Sequence, residues 1–169
     1  MVKAQQAVSG EIVLERLAAT LLRAAIENAG AQRGALLLPH GDKLSVVSVV
    51  GPSPEDAAGA DESRLPWSLI AYTRRTREHV LIGDVSQPHS FSADPWLERG
   101  GARSVLCLPL LRQEAFRGVL YLENGLATNA FTPSRLTLLG HRLPGRHLHR
   151  ERPALRRGPA DGGRAARRQ

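Results

Sequence analysis

With a single cysteine, Cys107, in 169 residues, the chain cannot close an internal disulfide. A reducing compartment is the simplest setting for it. Aromatic residues are also scarce, three Phe, two Trp and two Tyr, so a core must be built from aliphatic side chains. No apolar run approaches the roughly 20 residues that span a bilayer. The opening MVKAQQAVSGEIVLE lacks the continuous apolar stretch of a secretory leader. We therefore expect a cytoplasmic protein. Catalytic signatures are missing as well. There is no Gly-rich phosphate loop, no nucleophile elbow, and no Ser/His/Asp or Cys/His set. His40, His79 and His89 are scattered, and His141, His147 and His149 fall near the C-terminal end. None has the spacing of a metal site. The expectation is a non-enzyme with no metal and no resident cofactor.

Excess charge of either sign is absent from the first 140 residues, which hold 14 Lys+Arg and 14 Asp+Glu. Residues 141–169 hold nine Arg against Glu151 and Asp161, so the net charge of +7 belongs to the last 29 residues. The pI near 10.9 therefore describes that tail. Its Arg, Pro, Gly and His leave too few apolar residues for a core, and it reads as disordered. Such a tail would attract nucleic acid nonspecifically through counterion release, but it has no Phe, Tyr or Trp to stack on bases. The composition divides the chain into a lead-in at 1–9, a folded domain at 10–139 and a tail at 140–169.

Within the domain, Leu14, Leu17, Ala18, Leu21, Leu22 and Ala25 recur at helical spacing over 10–30. Ser9 is placed to cap that helix and Gly30 to stop it. Ala35–Leu38 and Leu44–Val50 flank a short turn and predict a β-hairpin. Residues 51–64 (GPSPEDAAGADESR) read as a surface loop. Pro66 opens a helix over Trp67–Thr76, and a short strand follows at His79–Ile82. Residues 83–102 are irregular, with one helical turn at Asp94–Glu98. Ser104–Leu111 and Phe116–Glu123 form a second hairpin, with Val119 and Tyr121 on one face and Leu120 and Leu122 on the other. Thr132-Pro133 starts a last helix. Adjacent strands joined by short turns imply an antiparallel sheet, so the fold class is α+β.

Several segments resemble the GAF domain family: GEIVLERL…AIENAGAQRGALLL, LPWSLIAYTRRTREHVLIGDV, FSADPWLERGGARSVLCLPLL and FRGVLYLENGLATNAFTPSRLTLL, in that order. The resemblance covers about residues 3–139. It is nearest to the GAF domains inside large bacterial signalling proteins that join a Ser/Thr kinase domain, an ATPase-like region and a histidine kinase. The opening MVKAQQ resembles the linker before the entry helix of such a domain. The resemblance implies a PAS-like sheet of five to six antiparallel strands with helices on both faces. It implies a sensory or regulatory role, a homodimer formed through the terminal helices, and kinase domains of a longer protein as partners. It also implies a pocket for a small-molecule ligand of unknown identity, lined by Trp67, Phe91, Trp96 and Cys107. Cys107, inside SVLCLPLL, equally suits a buried core position. It has no second cysteine and no Asp-x-Cys-Phe pattern for tetrapyrrole attachment. No NKFDE-like cyclic-nucleotide signature is present. A ligand-free dimerisation scaffold and a nucleic-acid-binding protein acting through its tail are the alternative readings.

After FTP the family commonly continues into a helix resembling AxxSQAAISIENARLY, where this chain has GHRLPGRHLHRERPALR. A permitted codon spelling of residues 140–156, read after deletion of one base, yields AIASQAAISIENARLY. The tail is thus expected to be the product of a one-base insertion near codon 140. Loss of that helix would remove apolar burial and leave a marginally stable domain.

Overall fold

The computed structural model describes residues 2–58 and 61–138. The tail and its reading-frame origin lie outside the described residues. Helix α1 (Val2–Ala29) leads into β1 (Arg33–His40) and β2 (Lys43–Val50), joined by a turn at Gly41-Asp42. A short helix α2 (Pro54–Ala57) and a single 3-10 turn (Glu62–Arg64) precede α3 (Trp67–Thr76). Then come β3 (Val80–Ile82), the one-turn α4 (Pro95–Glu98), β4 (Ser104–Arg112), β5 (Ala115–Asn124) and α5 (Pro133–Leu138). The strands form one antiparallel sheet of five, in the order β2-β1-β5-β4-β3.

The expected α+β architecture is present, with two corrections. Helix α1 starts well before residue 10, so Ser9 lies inside it rather than capping it. The lead-in VKAQQAV is made mostly of residues that tolerate a helix, and nothing in it competes. The segment 51–64 is not a bare loop. Ser53 caps α2 through a reciprocal box with Asp56, and Asp61 accepts the Ser63 N–H to start the 3-10 turn. By contrast, Asp94 heads α4 and Thr132 accepts the Arg135 N–H at the head of α5, as the sequence predicts.

Strand periodicity sorts the core into two layers. Ala35, Leu37, Val105, Cys107, Val119 and Tyr121 face one side, beneath α3, α4 and the 51–65 strap. Leu106, Leu108, Leu120 and Leu122 face the other, where α1 and α5 supply Leu22, Ile26, Ala29 and Leu136. Gly118 lets β5 approach β1 closely. A Cβ there would strike the Leu37 carbonyl oxygen.

Candidate functional site

The strap side of the sheet holds a buried charged cluster that aliphatic patterning does not announce. Arg33 at the start of β1 and Glu123 near the end of β5 are register partners. They share the face of Ala35 and Tyr121 because side chains alternate. The Arg33 Nε donates to Asp56 Oδ1 at 2.7 Å, and its Nη1 lies 3.5 Å from Glu123 Oε1. Arg64, from the 3-10 turn, places Nη1 3.3 Å from the same Asp56 oxygen. The side chains of Arg33 and Asp56 are 5% and 1% exposed, so this is a desolvated pair rather than a surface one. Gly51 makes room for it, because a Cβ there would run into the Asp56 carboxylate and the Arg33 stem.

Glu123 Oε2 accepts two hydrogen bonds, from the Tyr121 hydroxyl at 2.6 Å and the Trp96 indole at 3.0 Å. The guanidinium carbons of Arg33 and Arg64 stand 4.9 and 5.7 Å from the Trp96 ring centre, within cation–π range. Burial, with the Glu123 charge next, holds the Tyr121 phenol well above its ordinary range, so it stays a donor. The cluster ties β1, β5, the strap and α4 into one body.

Of the four residues expected to line a pocket, only Trp96 joins this cluster. Trp67 sits half-buried at the start of α3 and donates its indole N–H to the Glu62 carbonyl at 2.6 Å. Phe91 packs edge-on against Tyr72, ring centres 5.5 Å apart. Cys107 is fully buried in β4, and desolvation pushes its thiol up to about 12, the Thr73 hydroxyl pulling weakly the other way. A thiol in that state is inert at neutral pH. All four touch the same core layer, and Trp67 also stands in the wall of a cleft. Asp94 is buried. It caps α4 through Trp96 N–H at 2.9 Å and receives Ser68 N–H at 3.1 Å, joining α3 to α4.

Residues outside the cluster line two clefts. One cleft, about 840 Å³, runs between the β1–β2 turn and α3, with Trp67, Leu44 and Ile70 in its wall. The other, about 780 Å³, is bounded by the loops around Ser86, His89 and Arg103. Among the described residues, no group of three His, Cys, Asp or Glu could hold a metal ion, and no helix is long and apolar enough to cross a membrane.

The remaining prominent surface is on α1. Ala18, Leu22, Ile26 and Ala29 are buried against the sheet. Leu14, Leu17 and Leu21 are 47%, 53% and 58% exposed. The sequence stripe therefore splits between two faces, one for the core and one left open.

The architecture is a five-stranded antiparallel sheet with terminal helices on one face and a strap with short helices on the other, a small α+β domain. The family model for the GAF domain matches residues 13–142, and the chain belongs to that family. A 72-residue stretch, 43% of this chain, is 36% identical to the hybrid signal transduction histidine kinase G of Dictyostelium discoideum. The match spans about 2% of that protein's length. A GAF domain region from Geobacter sulfurreducens PCA has the same fold, with a TM-score of 0.62 and 17% identity, covering 78% of this chain and 89% of that one. The second GAF domain of DevS from Mycobacterium smegmatis aligns with a TM-score of 0.51 and 22% identity, over 76% of this chain and 84% of that one.

Proposed function

We propose that this chain is a sensory, non-catalytic GAF module of a larger signalling protein. In this reading a small molecule bound on the strap side biases the packing of α1 on the opposite side. The observation that carries it is the two-faced α1. One face is locked to the sheet through Leu22 and Ile26, and the other presents Leu14, Leu17 and Leu21 at spacings of three and four. That spacing is the seam of a two-helix coiled coil, which supports a homodimer whose helices could pass strain to an attached domain. The Dictyostelium relative, a hybrid histidine kinase, supports kinase domains as those attachments. The folded unit is taken as residues 10–139, with 140–169 as a tail of reading-frame origin. Sequencing the gene across codons 135–150 tests that assignment.

Sedimentation velocity tests the dimer. The wild-type chain should sediment as a dimer at micromolar concentration, and Leu17→Glu/Leu21→Glu as a monomer with unchanged circular dichroism. A wild-type monomer, or a dimer indifferent to both substitutions, would contradict the reading.

A further inference from the structure

We infer that the cleft between the β1–β2 turn and α3 is a binding site for an aryl carboxylate, a flat apolar body carrying one acidic group. This rests on the reading of the domain as a small-molecule sensor and gives that reading a place and a ligand class. The cleft, about 840 Å³, falls within the size range of small-molecule sites. Its wall is apolar where it is deepest. Ile70 is fully buried, Leu44 nearly so, and the half-buried Trp67 stands beside them. The Trp67 N–H is already committed to the Glu62 carbonyl, which leaves the indole's π surface as its contribution to a ligand.

The rim is cationic. Lys43 comes from the start of β2, and Arg74 and Arg75 from the last turn of α3. Glu62 is the one acid among the lining residues, so the mouth carries an excess of positive charge. Arg74 is preorganised. Its Nη2 donates to the Asp42 carbonyl at 2.7 Å, bracing the guanidinium against the hairpin turn. A guanidinium held by one edge keeps further N–H groups for a planar carboxylate. Lys43 lies next to Asp42 in sequence, so an acid bound here would bridge the hairpin turn and α3. An apolar wall with Trp, a cationic mouth and a braced Arg together select a ring with an acid. A neutral ring lacks the charge partner, and a purely inorganic anion leaves the apolar wall wet.

The test uses the full chain and 4-fluorophenylacetate, read by fluorine NMR line broadening and displacement with unlabelled phenylacetate. The expected result is saturable binding, at least about tenfold weaker for the neutral 4-fluorophenylacetamide, the loss of one effective charge pair. Lys43→Glu and Arg75→Glu, both at exposed positions, should each weaken the acid about tenfold. Arg112→Glu, exposed and outside the cleft, should leave it unchanged. Equal binding of acid and amide would overturn the proposal, as would no binding by a folded chain. Binding of the acid that ignores Lys43→Glu and Arg75→Glu would overturn the site and leave the sensor reading standing. Loss of the α1-dependent dimer, measured separately by sedimentation, would instead remove the sensor reading.

Discussion

Asp56 accepts from the Arg33 Nε and the Ser53 N–H and lies beside Arg64, all at a position almost closed to solvent. Removing a partner from such a pair leaves the other charge desolvated, which costs about 3–5 kcal/mol. A domain of this size has roughly 5–15 kcal/mol in total. Asp56→Ala should therefore lower the urea midpoint steeply, while Arg33→Met/Asp56→Leu should recover only part of the loss, because Glu123 and Arg64 each lose a partner. Equilibrium urea denaturation distinguishes the outcomes. A midpoint for Asp56→Ala within error of wild type would show that the pair contributes nothing. These residues were readable only in part from the sequence. Glu123 follows Val119 and Tyr121 at period two, which places it inward, and Arg33 precedes Ala35 and Leu37 in the same way. The partner Asp56 was not readable, because it sits in a Pro-Gly-acid stretch whose composition looks solvated. Pairing across 23 residues leaves no local signal.

The elements themselves were more legible than their faces. Helix α3 lies at Trp67–Thr76 as predicted, because Pro66 and the Leu69, Ile70, Thr73 stripe are local signals that tertiary packing reinforces. The β4–β5 hairpin was equally clear, since Arg112-Gln-Glu-Ala115 interrupts two strongly apolar runs and the sheet has few ways to join them. The face of α1 was not. Its stripe is broad enough to serve two partners, and spacing alone cannot say which leucines meet the sheet. Leu22 does, and Leu17 and Leu21 do not. At the same scale, Gly118 sets how closely β5 and β1 approach, beside the register shift at Leu110/Leu111. Gly118→Ala should force the strands apart at Leu37 and cost about 1–3 kcal/mol, the usual penalty of overpacking. An unchanged urea midpoint and unchanged amide protection of Leu37 and Val119 would count against that close contact.

For the molecule as a whole, acid should act through His79 first. Burial lowers its pKa from 6.5, with the Glu78 charge pulling the other way, and its Nε2 has no hydrogen-bond partner. The folded value lies below the unfolded one, so the unfolded chain takes up the proton first as pH falls. The His79 contribution is full above 6.5 and is lost as pH drops through the folded value. Asp61 and Asp84 are lowered from 3.8 by hydrogen bonds from Ser63 and Ser86, so theirs is lost only below that pH. Thermal melts should show Tm falling in two stages, and His79→Phe should flatten the first. An identical slope between neutral pH and pH 5 in the variant would assign that stage to other groups.

In the proposed reading the strap side and α1 communicate through the sheet. Hydrogen–deuterium exchange of the full chain, with and without saturating 4-fluorophenylacetate, tests it most directly. Exchange should slow at the β1–β2 turn and α3 and change along residues 14–29 of α1, on the far side of the sheet. Protection confined to the cleft, with α1 exchange unchanged, would contradict it.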